Sequence, residues 1–203
     1  MNSSFFKSSF SFSIAFFIII LFICIFFIPL LSIFPESFSF SDSSTSSSFI
    51  VSNSNYIWPI PGYTRITSPF GKRISPTAGA SSFHKGIDIA APEGTNLYSI
   101  TDGEITFANF LGGGGYTITL SYNNLKISYC HVNPKYIVKV GDIVFKGQLI
   151  GHVGPKYVYD VPGNPYKDRN GKPTNGAITG CHLHLGIRRN NDYINPLELF
   201  EDS

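Results

Sequence analysis

From residue 14 to residue 34 the chain reads IAFFIIILFICIFFIPLLSIF, without one charged side chain. A run of about 20 apolar residues matches the hydrocarbon thickness of a bilayer and predicts a transmembrane helix. A cleaved signal peptide would carry a shorter apolar core, about 7–15 residues, ending in small residues. Here Phe, Pro and Leu crowd the end, which favours an uncleaved signal-anchor. Lys7 precedes the run, whereas Glu36 and Asp42 follow it. That asymmetry favours a short cytoplasmic N-terminus (1–13), a span at 14–34, and the rest of the chain outside the cell membrane. Residues 35–55, PESFSFSDSSTSSSFIVSNSN, bury too little surface to offset chain entropy and read as a flexible linker.

Beyond residue 56 the pattern changes. No stretch keeps apolar spacing at 3.6 residues long enough to predict a helix. Short runs rich in Ile, Val, Tyr and Thr alternate instead with Gly, Pro, Asn and Asp. The expected strands are 86–90, 96–100, 103–108, 116–122, 125–131, 148–153 and 181–188. Strands this short and this regularly interrupted predict an all-β sandwich or barrel-like domain over 56–203. Asn123-Asn124 marks a tight hairpin turn, since Asn tolerates positive φ. Residues 112–115 are four consecutive glycines, which let backbone or ligand approach closely. Residues 155–175 form a long irregular segment, which is either a surface insertion or a functional loop.

The formal net charge of +2 is too small to argue for a nucleic-acid partner. Of three cysteines, Cys24 falls in the apolar run, while Cys130 and Cys181 belong to the outer domain, where a disulfide is chemically permitted.

The five histidines bring in candidate chemistry. In a strand through His84-Lys85-Gly86-Ile87-Asp88, alternation puts His84, Gly86 and Asp88 on one face and Ile87 and Ile89 on the other. The same parity places His182 and His184 together, with Leu183 and Leu185 opposite. His131 ends a strand in which Leu125, Ile127, Tyr129 and His131 share a face. His152, in Gly151-His152-Val153-Gly154, has no partner in sequence and reads as a surface strand residue. An open zinc site needs three protein ligands and a fourth position for water, and two His with one Asp suffice. Further imidazoles held off the metal could orient the water and move protons. Parity does not say which histidines ligate.

The motifs SPFGKR (68–73), FHKGIDIAAPEGT (83–95), DGEITFA (102–108), YCH (129–131), VKVGDIVFKGQLIGHVG (138–154), TGCHLHLGIR (179–188) and INPLELF (194–200) occur in this order. Together they resemble the lysostaphin-type, or LytM-domain, zinc metallopeptidases from about Trp58 to Phe200. The resemblance implies a small antiparallel β-sandwich built on a duplicated hybrid motif, with one Zn2+ bound by His84, Asp88 and His184. It gives His131 and His182 to catalysis, and it implies bacterial peptidoglycan peptides as substrate. Leu185 departs from the family, where an aromatic often follows the second His of this motif, and 155–175 is longer than in compact members. Two other readings compete. Some membrane-tethered domains of this family act as scaffolds or regulators without hydrolysis. VKVGDIVFKGQLIG also resembles strands of lipoyl carriers, but those have no use for the histidine set.

Overall fold

The computed structural model describes residues 55–200. The span expected at 14–34, the segment before it and the linker up to residue 54 lie outside the described residues. Among the described residues no helix is long and apolar enough to cross a membrane.

Twelve strands and two short 3-10 turns make up the described chain. The strands are β1 (Ile66–Ser68), β2 (Gly71–Lys72), β3 (Phe83–His84), β4 (Ile87–Ala90), β5 (Asn96–Tyr98) and β6 (Gly103–Phe110), followed by β7 (Tyr116–Tyr122), β8 (Leu125–Cys130), β9 (Ile143–Val144), β10 (Leu149–His152), β11 (His182–Arg189) and β12 (Asp192–Ile194). Eight form one antiparallel sheet in the order β1-β4-β11-β8-β7-β6-β9, with β12 paired to β11. β5 with β10 and β2 with β3 make two small ribbons. The all-β, antiparallel expectation holds, with unequal layers of eight strands and two.

Alternation explains the division of faces. Leu125, Ile127 and Tyr129 of β8, and Leu183, Leu185 and Ile187 of β11, are buried in one apolar cluster with Ile87, Ile89, Ile118 and Leu120. The β5–β10 ribbon closes on that cluster through Leu97 and Ile150. Gly151 eases that approach: a Cβ there would stand 3.2 Å from Ile118 Cδ1, a tight contact. Tyr129, fully buried, accepts a hydrogen bond from the Ile100 amide through its hydroxyl, at 3.0 Å. It thereby ties the chain leaving β5 to the main sheet.

The hairpin turns follow residue chemistry. Asn123 takes φ 51° at the β7–β8 turn, as expected for 123–124. Asn190 and Asn191 both adopt positive φ, 53° and 74°, at the β11–β12 turn. Two adjacent positive φ angles are the signature of a type I′ hairpin, and asparagine is suited to it.

Three strand expectations need correction. Residues 84–88 are not one strand, because the chain bends at Lys85-Gly86 between β3 and β4. β8 ends at Cys130, and His131 takes φ 59°. That left-handed backbone breaks the alternation, so His131 leaves the core face of Leu125, Ile127 and Tyr129 and joins the opposite one. β1, β2, β3, β9 and β12, each two or three residues long, were below what periodicity can resolve. The segment 155–175 is internally bonded. Tyr157 bridges to Thr174, Asn164 Nδ2 donates to the Thr174 carbonyl at 2.8 Å, and the Tyr157 hydroxyl donates to Asp168.

Replacing Tyr129 by Phe leaves the buried Ile100 amide without its acceptor. Urea unfolding should report a loss of about 1–3 kcal/mol in stability with an unchanged slope.

Candidate active site

β11 lies between β4 and β8, and its register sets the site. His184 is opposite Asp88 on one side and Cys130 on the other. The parity expected of β11 is realised, with His182 and His184 on the open face and Leu183 and Leu185 buried. The bend at Lys85-Gly86 brings His84 back over β4, so His84 and Asp88 meet although they occupy different strands.

Three donor atoms converge. His84 Nε2 lies 3.0 Å from Asp88 Oδ1 and 2.9 Å from His184 Nδ1, and His184 Nδ1 lies 2.8 Å from Asp88 Oδ1. Protonation can be assigned from the partners. His84 Nδ1 faces the Pro69 carbonyl at 2.8 Å, and a carbonyl can only accept. That nitrogen therefore carries the hydrogen, and Nε2 turns a lone pair toward Asp88 and His184. Two imidazole nitrogens and a carboxylate oxygen within about 3 Å of one another repel unless a cation or proton lies between them. The set fits a metal ion, and its type matches an open zinc site. Gly86 makes room for it: a Cβ there would collide with the Leu185 carbonyl and stand 2.9 Å from the His184 ring.

The two oxygens of Asp88 have separate tasks. Oδ1 faces the imidazoles, including His182 Nε2 at 3.5 Å, while Oδ2 accepts from Arg73 at 3.2 Å. Arg73 also donates to Ser68 Oγ at 2.6 Å, which itself lies 3.2 Å from His84 Nδ1. Burial works to raise the Asp88 pKa, but the close rings of His182, His184 and His84 outweigh it and hold the carboxyl far below the usual range. Burial lowers the His184 pKa against the pull of Asp88.

His131 and His182 stand beside this triangle, with ring centroids 4.8 Å apart. His131 Nδ1 meets the Asn175 carbonyl at 2.7 Å, and His182 Nδ1 meets the Gly180 carbonyl at 2.9 Å. Each Nδ1 therefore carries a hydrogen, leaving each Nε2 basic. Burial first, then the neighbouring His182 and His184, lower the His131 pKa well below its ordinary value, so His131 is neutral at neutral pH.

Asn175 is fully buried and uses every polar group it has. Its side chain accepts from the Tyr116 amide at 2.7 Å and donates to the Val132 carbonyl at 3.1 Å. Its amide donates to the Lys156 carbonyl at 2.9 Å, and its carbonyl holds His131. The four-glycine run packs against it: a Cβ on Gly115, at φ 62°, would overlap Asn175. All these groups line or support one groove enclosing about 630 Å3.

All five residues singled out in the sequence thus come together. His152 stays apart, half-buried in β10 opposite Asn96. Cys130 and Cys181 are both free, so the permitted disulfide is absent. Sequence reasoning gave no role to Arg73, Ser68 or Asn175. The first two lie in SPFGKR, whose place in the resemblance was the available signal. Asn175 lies 44 residues from His131 and had none.

Comparison with known proteins agrees with this geometry. The Peptidase family M23 profile matches residues 82–196. The chain belongs to peptidase family M23. It is 33% identical over 138 residues to the DD-carboxypeptidase/endopeptidase Mpg of Neisseria meningitidis serogroup B, covering 68% of this chain and 27% of that protein. It is 28% identical over 136 residues to the peptidoglycan DD-endopeptidase ShyC of Vibrio cholerae, covering 66% and 27%. The chain thus spans about a quarter of the length of these relatives. Among solved structures, the catalytic domain of lysostaphin from Staphylococcus simulans superposes with a TM-score of 0.54 at 28% identity, covering 68% of this chain and 92% of that one. A zinc-containing peptidase of Vibrio cholerae gives 0.53 at 29%, covering 68% and 37%.

Two predictions follow from the donor set and the thiols. Equilibrium dialysis against zinc should find binding abolished in His84→Ala and Asp88→Ala, kept in His182→Ala, and weakened about 10- to 100-fold in Arg73→Met. Burial pushes the Cys130 thiol up to about 11, against a weaker opposing bond to Thr117, so its reactive thiolate forms only near that pH. Iodoacetamide at pH 8, followed by peptide mapping, should label the more open Cys181 and spare Cys130.

Proposed function

We propose that this chain is a zinc-dependent endopeptidase that hydrolyses peptide bonds in the stem or cross-bridge peptides of bacterial peptidoglycan. The carrying observation is the triangle of His84 Nε2, Asp88 Oδ1 and His184 Nδ1, with two fixed imidazoles at its side. Membership of family M23 and the activities named for Mpg and ShyC support the substrate class.

His84, Asp88 and His184 would hold the metal, and Arg73 would keep Asp88 from rotating. Bound zinc would supply Lewis-acid polarisation of the scissile carbonyl and a water of near-neutral pKa. The other steps belong to the protein. The basic Nε2 atoms of His131 and His182 take the proton of the attacking water and return it to the leaving amine. The Asn175 and Gly180 carbonyls hold the two rings in the tautomer this requires. Neutral His131 is already competent as a base at neutral pH.

The apolar run at 14–34 supports a location on the outer face of the cell membrane, tethered through residues 35–55.

Detergent-solubilised full-length protein, incubated with purified cell walls, should release peptides identifiable by mass spectrometry. Release should stop with a chelator and return with zinc. His131→Ala should slow it by about 10²–10⁴-fold. Intact walls after incubation with zinc-loaded protein would reject hydrolysis and favour the scaffold reading.

A further inference from the structure

We propose that Lys85, Arg188 and Tyr193 form a subsite at one end of the groove that binds a carboxylate of the peptide substrate. The inference rests on the endopeptidase reading and adds to it the charge the substrate must carry.

All three residues line the groove that contains the histidines. Lys85 Nζ lies 4.9 Å from the Tyr193 ring centroid and Arg188 Cζ 5.4 Å from it. The two like charges are therefore within about 10 Å of each other, on the order of a Debye length. Among the described residues, no carboxylate comes within ion-pair distance of either. Arg73, the other cation of the groove, is already engaged by Asp88 and Ser68. The register explains the lack of a partner. Arg188 is opposite Tyr193 on one side and Lys126 on the other, while Asp192 pairs with Arg189 and so belongs to the opposite face. Along that row the next acid is Glu104, separated from Lys126 by Ser121 of β7. Excess positive charge is thus concentrated at this end.

The path between this end and the histidines is open. His184, Gly186 and Arg188 share one face of β11, and Ser128 is opposite Gly186 on β8. Gly186 has no side chain to obstruct the floor. A Cβ there would stand 3.2 Å from the Lys85 carbonyl and 3.4 Å from His184 Nε2. The bend that delivers His84 to the metal site therefore also sets Lys85 above this floor. His184 and Arg188 are four residues apart on one strand, about 13 Å, a distance spanned by three to four residues of extended peptide. A carboxylate that far from the scissile bond would meet two cations that both pack on the Tyr193 ring. A guanidinium can take it in a bidentate pair.

Such a carboxylate has two sources, the chain-terminal α-carboxylate and a side-chain carboxylate. Four synthetic peptides with the same scissile bond separate them: both carboxylates free, only the terminus amidated, only the side chain amidated, and both amidated. The full chain should lose about tenfold in kcat/KM, mainly through KM, when the recognised carboxylate is amidated. The other single amidation should have no such effect, which names the source. Arg188→Gln with Lys85→Gln should collapse the preference to near one, and Arg188→Lys should retain part of it. Preference within twofold across all four peptides, or a tenfold preference surviving in the double variant, overturns the subsite. Calorimetric Kd values for the same peptides on zinc-loaded His131→Ala supply the ratio without turnover. A retained ratio with no cleavage by the parent protein would keep the subsite and sink the endopeptidase reading. Cleavage without a ratio would do the reverse.

Discussion

A carboxylate whose one oxygen faces three imidazoles and whose other oxygen is held by a guanidinium cannot rotate without breaking several charge-assisted contacts at once. Asp88 is in that position. Oδ1 is shared by His84, His184 and the more distant His182, and Oδ2 belongs to Arg73. Arg73 in turn engages Ser68, which reaches His84 Nδ1. The loop is closed: the group that orients the carboxylate also helps orient one of the imidazoles it faces. Carrying negative charge in so buried a place is costly, and the facing rings together with the Arg73 guanidinium offset that cost.

The sheet makes this arrangement affordable to the fold. β11 runs between β4 and β8 with its apolar side chains on one side and its histidines on the other. One set of backbone bonds therefore stabilises the core and fixes the rings of the candidate site. His131 is the exception. It reaches the groove only because its backbone leaves the strand for the left-handed region, at a cost of about 1–2 kcal/mol. The hydrogen bond from its Nδ1 to the Asn175 carbonyl works against that cost.

Much of this was legible in the sequence because alternation is a local property. The strand at 116–122 matches β7 residue for residue, and the pairing of His182 with His184 on one face follows from parity alone. What failed was also local in origin. A strand was expected to run unbroken through 84–88, yet Gly86, crowded by the Leu185 carbonyl and the His184 ring, sits in a bend that no periodicity announces. His131 was expected to share a face with Tyr129, and one positive φ sent it the other way. Neither error removed a residue from the site, because the chemistry of the side chains, carried by the resemblance, identified them independently of their backbone. Arg73 and Asn175 act through partners 15 and 44 residues away, and such distances leave no pattern along the chain.

The irregular segment before Asn175 is pinned where it begins and where it ends. The Asn175 amide reaches the Lys156 carbonyl, and Tyr157 bridges to Thr174, so the two ends of the excursion stand side by side. Val158 within that excursion packs into the core and Asp160 accepts from the Tyr116 hydroxyl, so it is the turn at 169–172 that stands clear, and the clasp formed by the two ends is what touches His131. That exposed turn is a modular graft point: it could be lengthened, shortened or exchanged for a recognition element while the His131 ring keeps its orientation.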